Sequence, residues 1–335
     1  MNRIFQLAMA SKGLERCFNA FAGPYVTIFM LHRAEPEDGS YQGTSEALLR
    51  RCLDYAVSRG YDFMFLDEVV ERSLRGERVN RPTLCFTLDD GYSDQVARLV
   101  PILLEYQAKP TLFVITDFVD GIDWPWDAKI GYAVRVCNKE SCTLSLDGKS
   151  ATLGFRNTDE RTATRRQLNA HGKTLNTKEL LAYLAAIESV FEVTLPEKAP
   201  IGYEPATWDE LRALEKRGLR VGSHTRSHLI LSANHPDDAA VELSESKDRL
   251  SDELANPSGV FCYPSGTTRD FAPSDERLVR KANYRGAVST ISETSYLKDI
   301  KRNPYRITRI GFPYGFEQFV RYASWIEALR SKLPV

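Results

Sequence analysis

The chain has 335 residues, 44 Lys and Arg against 45 Asp and Glu, and a formal net charge of −1. Hydrophobic residues at 43% and charged residues at 27% are globular values that exclude a disordered or collagen-like chain. The balanced charge excludes a dedicated nucleic-acid binder, which needs a basic excess to neutralise phosphates. No apolar run reaches the roughly 18 residues needed to span a bilayer.

Residues 1–24 put Ile4, Leu7, Ala8, Leu14, Cys17, Phe18 and Phe21 near helical spacing, while Arg3, Lys12, Glu15 and Arg16 interrupt any secretory h-region. This predicts an amphipathic helix packed on the body of the protein. The alternative, peripheral contact with a membrane surface, lacks a strongly basic polar face. Six cysteines, at 17, 52, 85, 137, 142 and 262, form no CxxC, and Cys85 and Cys262 sit in apolar runs. Free thiols in a reducing cytoplasm are expected, with a Cys137–Cys142 bridge across a turn as the lesser alternative.

Short apolar runs then alternate with amphipathic stretches. Strands are predicted at Tyr25 to Leu31, Pro82 to Leu88, Thr111 to Ile115, Leu219 to Ser223, Gly259 to Tyr263 and Ala287 to Thr290. Helices are predicted at Ser45 to Ser58, Gln95 to Tyr106, Trp208 to Arg217, Asp237 to Leu254 and Asp275 to Ala282. This alternation implies parallel strands with crossover helices, and the number of units favours a barrel over an open sheet. From about 121 to 205 the rhythm breaks. A hairpin is expected around Asp147-Gly148, then a charged segment from Arg156 to Arg166, then a helix near Thr177 to Phe191. We read 121–205 as one long insertion between barrel units. Residues 314–335, with Phe316, Phe319, Val320, Ala323, Ile326 and Leu329 in register, predict a single closing helix packed on the barrel.

Three clusters of chemically capable residues each follow a predicted strand, where a parallel α/β fold builds its active site. The first is Thr87-Leu88-Asp89-Asp90-Gly91-Tyr92. Adjacent carboxylates at a strand end point apart, so one can bind a metal while the other faces substrate as a general base; the same residues also make an ordinary turn. The second is Gly222-Ser223-His224-Thr225-Arg226-Ser227-His228, which places two of the chain's five histidines at ligand spacing for Zn²⁺ or another first-row metal. The third is Phe261-Cys262-Tyr263-Pro264-Ser265-Gly266, a strand entering a turn that can aim a backbone N–H at an oxyanion or simply end the strand. His171 and His235 read as loop histidines.

The order TLDDG, GSHTRSH, FCYPSG resembles the polysaccharide deacetylases, carbohydrate esterase family 4 with its NodB-homology domain. Phe29-Met30-Leu31-His32-Arg33, Trp124-Pro125-Trp126-Asp127, Thr207-Trp208-Asp209-Glu210 and Arg309-Ile310-Gly311 are similar to segments of the exopolysaccharide-type subgroup, so the resemblance spans about 25–313. It implies a distorted (β/α) barrel of about seven units and a metal-dependent hydrolase that removes N-acetyl groups from an amino-sugar glycan or its precursor. Asp90, His224 and His228 match the family's metal ligands, with Zn²⁺ expected and Co²⁺, Ni²⁺ or Mn²⁺ as options. Asp89 matches the general base, and the Ser265 N–H an oxyanion donor. The usual late Leu-x-His acid is missing, since no histidine follows His235; His32 at the end of the first strand is the replacement expected. No Arg precedes Pro264 to hold the base, so Arg309 or Arg306 is the expected substitute. Tyr263, Pro264, Ser265, Trp126 and Arg309 are expected to bind substrate, and Trp124 and Trp126 read either as sugar-stacking faces or as core anchors. The competing functions are hydrolysis of another acyl or C–N bond and a catalytically weak glycan-binding protein. A cytoplasmic, lipid- or nucleotide-linked sugar is the expected substrate, with no nucleic-acid partner and no transmembrane segment.

Overall fold

The computed structural model describes residues 24–36 and 41–332, together with Gly13 and Phe18. The helix expected within 1–24 lies, apart from those two residues, outside the described residues. The first apolar run forms β1 (Tyr25–Leu31), followed by α1 (Glu46–Arg59). Two elements absent from the sequence reading come next, β2 (Asp62–Phe63) and α2 (Leu66–Arg75). Then follow β3 (Thr83–Leu88), a π-helical turn at Gln95–Leu99 running into α3 (Val100–Glu105), β4 (Thr111–Val114) and the short α4 (Thr116–Val119).

The segment between β4 and the next barrel strand holds α5 (Trp126–Val136), the hairpin β5 (Ser141–Leu146) and β6 (Lys149–Gly154), α6 (Thr158–Gly172) and α7 (Thr177–Phe191). The hairpin turns at Asp147-Gly148, where both residues have the positive φ that such a tight turn requires. The charged stretch Arg156 to Arg166 lies largely within α6, whose Asn157 side chain caps it by accepting from the Glu160 N–H. His171 therefore sits in the last turn of a helix rather than a loop, with Nδ1 3.0 Å from Asp147 Oδ1.

The remaining elements are α8 (Trp208–Glu215), β7 (Arg220–Ser223), α9 (Pro236–Glu253), β8 (Val260–Cys262), α10 (Pro273–Lys281), β9 (Gly286–Val288), β10 (Ser295–Tyr296), α11 (Leu297–Arg302), β11 (Ile310–Gly311), α12 (Phe316–Tyr322) and α13 (Trp325–Arg330). His235 is the N-cap of α9, its ring accepting from the Asp237 N–H. The closing helix expected from 314 onward is two helices. Ala323 and Ser324 interrupt it, the Ser324 hydroxyl turning back to the Arg321 carbonyl while its backbone, in extended φ/ψ, starts the second.

The main sheet runs β10-β1-β3-β4-β7-β8-β9, with β2 on β3 and β11 on β1; from β1 through β9 every neighbour is parallel. Its two ends meet through one segment: Ile307 bridges Val288 of β9, and Ile310 and Gly311 pair with Phe29 and Met30 of β1. The result is a distorted α/β barrel. One face of β1, β3, β4, β8 and β9 supplies Val26, Ile28, Cys85, Phe113, Val260, Cys262 and Val288 to a shared apolar cluster, which strands this far apart can reach only because the sheet curls. The alternate residues, among them Phe29, Leu84, Phe86, Leu88, Leu112 and Val114, pack outward against α1, α3 and α8. Asp67 at the head of α2 accepts from Ser258 Oγ and the Gly259 N–H just before β8, so α2 closes the end of the barrel where strands begin. The segment 126–191 has a separate core built from Trp126, Ile130, Val134, Phe155, Leu168, Ile187 and Phe191, which the barrel joins through Ile230.

Candidate active site

Strand alternation sets the first carboxylate. Leu88 ends β3 facing the helices, so Asp89 points into the barrel, where it is 2% exposed. There it meets Arg309, the largest fully buried side chain, in a two-pronged pair: Nη1 to Oδ1 at 2.7 Å and Nη2 to Oδ2 at 2.8 Å. Arg309 spends its other donors on Ser289 O, Thr87 Oγ1 and Cys262 Sγ. Burial opposes a charge on Asp89, but the Arg309 guanidinium outweighs it and holds the carboxyl well below the usual carboxylate range.

Asp90 turns the other way because its backbone is left-handed, at φ 85°. Its Oδ1 lies 3.5 Å from His224 Nε2 and 3.8 Å from His228 Nε2. Both histidines follow β7 in a loop that is itself strained, with Thr225 at φ 67° and His228 at φ 64°. Glu242 of α9 ties that loop down, accepting from the Arg226 and Ser227 N–H groups at 2.9 Å each and from Ser227 Oγ. The His224 ring is fixed by an Nδ1 contact of 2.9 Å to the Cys262 carbonyl, which leaves Nε2 facing Asp90. His228 Nδ1 faces Asp127 Oδ1 at 3.4 Å, and the Trp126 indole donates to the His228 carbonyl at 3.2 Å. Burial drives His224 down to about 3, so at neutral pH it is the neutral imidazole that a metal requires. Burial also pushes Asp90 up to about 6, a cost that a neighbouring cation would remove. Asp127 stays ionised well below the usual range: burial opposes its charge, but contact with His228 prevails.

The donor set fits a divalent cation. Asp90, His224 and His228 offer one oxygen and two nitrogens, all within 4.8 Å of one another, and each imidazole has its second nitrogen facing an acceptor. His32, just past β1, places Nε2 3.9 Å from Asp89 Oδ2, with its side chain 48% exposed. It borders a groove of about 420 Å³ whose walls include Met30, Thr44, Phe312, Tyr314 and Gln318. Gln95, fully buried, joins the two strand ends: Nε2 donates to the carbonyls of His32 and Asp89, and Oε1 accepts from the Gly91 and Tyr92 N–H groups. At Ser265 the chain again turns left-handed, φ 59°, with the carbonyl held by Thr290 Oγ1.

Several side chains expected at the substrate lie elsewhere. Tyr263 is 1% exposed, stacked on Phe271 at 4.1 Å and bonded to the Tyr305 carbonyl, so its ring belongs to the outer helical layer. Arg309 is 0% exposed and reaches Asp89 instead of solvent, while Arg306 pairs with Glu276. Trp124 and Trp126 are 3% and 5% exposed and present no face to a sugar. Trp124 bonds the Pro196 carbonyl, and Trp126 stands behind His228. The sequence gives no role to Asp127, which faces His228, or to Gln95, which ties the two strand ends. Asp127 stands beside the more conspicuous tryptophans, and Gln95 reads in sequence only as the start of a helix.

Comparison with known proteins agrees with this geometry. A protein-family model described as polysaccharide deacetylase matches residues 76–130 and 162–287, more than half of the chain. Of the curated proteins, none matches the chain. Among solved structures, the Streptococcus pyogenes deacetylase PplD in complex with acetate superposes at TM-score 0.58 with 17% identity, over 92% of this chain and 99% of that one. IcaB from Ammonifex degensii superposes at 0.59 with 14% identity, over 90% and 97%. BC0361, a polysaccharide deacetylase from Bacillus cereus, gives 0.56 with 15% identity, over 90% and 69%. The internal stretch that the family model skips, 131–161, contains the β5–β6 hairpin of the separate core. With the barrel, the three strand-end motifs and the family match in accord, the chain belongs to the polysaccharide deacetylases, hydrolases of carbon–nitrogen bonds other than peptide bonds.

Proposed function

We propose that the protein removes N-acetyl groups from an amino-sugar glycan or glycan precursor, with Asp90, His224 and His228 holding a divalent metal. The observation that carries this reading is the convergence of those three donors beside a separate, Arg-held carboxylate. The histidine-rich set suits Zn²⁺, and Co²⁺, Ni²⁺ or Mn²⁺ fit the same donors. A cation held there would polarise the acetamide carbonyl and acidify a water, which allows a carboxylate held as low as Asp89 to act as acceptor.

In this reading Asp89 takes the proton from the attacking water as its oxygen bonds to the acetyl carbon. Arg309 keeps the carboxylate ionised and aimed. The Ser265 N–H, which no described group accepts, is the oxyanion donor. His32 gives a proton to the amine nitrogen as the C–N bond breaks, releasing acetate and a free amino sugar; its position between Asp89 and the groove supports that role. The saccharide lies along the groove, whose aromatic and neutral polar walls suit a sugar. We place the reaction in the cytoplasm, supported by five free thiols at Cys52, Cys85, Cys137, Cys142 and Cys262. Among the described residues no helix is long and apolar enough to cross a membrane.

The test is metal content by mass spectrometry beside acetate release from N-acetylated oligosaccharides, for wild type, His228→Ala and His32→Ala. About one metal per chain is expected, lost with acetate release in His228→Ala but retained, with slowed release, in His32→Ala. A wild type that takes up no Zn²⁺ or Co²⁺, or a His228→Ala variant that still releases acetate, overturns the reading.

A further inference from the structure

His228 is served by the segment between β4 and β7, not by the barrel. Its Nδ1 lies 3.4 Å from Asp127 Oδ1, and among the described residues neither of these buried atoms makes a hydrogen bond, so this charge contact is the one each has. A carboxylate oxygen removed from water without a partner is costly, and here the unpaired oxygen faces an unpaired ring nitrogen, which points to a pairing made when the ring is oriented by a bound cation. Asp127 occupies the first turn of α5, and the residue before it, Trp126, donates to the His228 carbonyl. One helix head therefore grips both the ring and the backbone of His228.

α6 lies against α5 at two glycines, and at the first of them the approach to the helix head is closer than a Cβ allows. At Gly172 an added Cβ would come within 2.6 Å of the Trp126 ring, and at Gly131 it would come within 3.1 Å of the Arg165 guanidinium. Trp126 packs into the same apolar cluster as Leu168 and Ile187, so its position is set by the separate core. His224 is arranged differently: its Nδ1 contact is a main-chain carbonyl of β8.

Resting on the metal reading above, we infer that Asp127 is a positioning residue of the metal centre, fixing the His228 tautomer and strengthening Nε2 as a donor, so that the inserted segment sets cation affinity. A carboxylate behind a ligating imidazole holds the proton on the far nitrogen and orients the ring, and loss of such a partner costs about 10–100-fold in metal affinity.

The experiment uses the full chain, stripped with chelator and titrated with Co²⁺, read by competition calorimetry and by the Co²⁺ absorption spectrum. Asp127→Asn keeps the shape and an acceptor oxygen but removes the charge; a Kd raised about tenfold or more, with a shifted band and an unchanged far-UV circular dichroism spectrum, is expected. Trp126→Phe, which removes the donor to the His228 carbonyl together with the ring that packs on Gly172, is expected to raise Kd by a smaller factor, and it carries the test if Asp127→Asn does not fold. A variant that folds and matches wild type in both affinity and spectrum overturns the inference while leaving the metal reading intact. Failure of the wild type itself to bind Co²⁺ overturns both.

Discussion

His224 and His228 face the same aspartate and are held by opposite means. The first is fixed by a carbonyl of the adjoining strand, part of the barrel's own main chain. The second is fixed by a side chain from a segment with its own apolar core. A ligand oriented by backbone cannot be retuned by point substitution without disturbing the sheet. One oriented by a carboxylate can be, and the stability of the segment carrying that carboxylate then enters the properties of the site.

The largest effect should come from the barrel side. Arg309→Met leaves Asp89 buried without its partner and is expected to cost about 3–5 kcal/mol in denaturant unfolding, with loss of acetate release. Because the pair depresses the Asp89 pKa in the folded state, its contribution is present above the ordinary carboxylate pKa and is lost as pH falls through the lower folded value. The gap between wild type and variant should therefore be widest near neutrality and shrink in acid. A gap that grows as pH falls would contradict this. Phe155→Ala, in the separate core against Phe191, should cost about 3 kcal/mol. Amide exchange should then quicken over 126–191 before it quickens in β3 and β7. Simultaneous quickening would show that the two cores open as one unit, and the contrast between the histidines would lose its meaning.

Glu242→Gln tests the element the two histidines share. It weakens the acceptor for two loop N–H groups between them and should cost about 1–2 kcal/mol, lowering cation affinity whichever histidine is considered. Unchanged affinity would mean that the loop keeps its strained shape unaided. At the small end, Leu181→Ser, on a side chain 62% exposed on α7, should move stability by less than about 0.5 kcal/mol and leave the site untouched.

Much of the barrel is legible in the sequence because strands buried on both faces read as continuous apolar runs. Tyr25–Leu31 and Thr83–Leu88 are examples, and the site motifs sit at their ends. The pair β2 and α2 escapes that logic, since a strand of two residues, Asp62–Phe63, has no period to detect. The helix α6 is hidden by composition: only Thr164, Leu168 and Gly172 are buried along it, so its charges dominate the pattern. The candidate ligand set is local in sequence, hence visible as motifs. Its supports are not. Arg309 lies 220 residues from Asp89 and Asp127 about a hundred from His228, and no spacing rule connects them. Arg309 could be named only as one of two candidates to hold the base, and its expected contact with substrate was wrong because the barrel encloses it.

The stretch that joins the two ends of the sheet also carries Arg309, between Ile307 on β9 and Ile310 on β1. While the chain is being synthesised, Asp89, Asp90, His224 and His228 are therefore all made before the charge that balances Asp89. A nascent chain that has not yet released residues 307–311 lacks both the join between β9 and β1 and the counter-ion of Asp89. Cleavage after Asn303 would take both supports at once, leaving Asp89 without its counter-ion and β1 without β11.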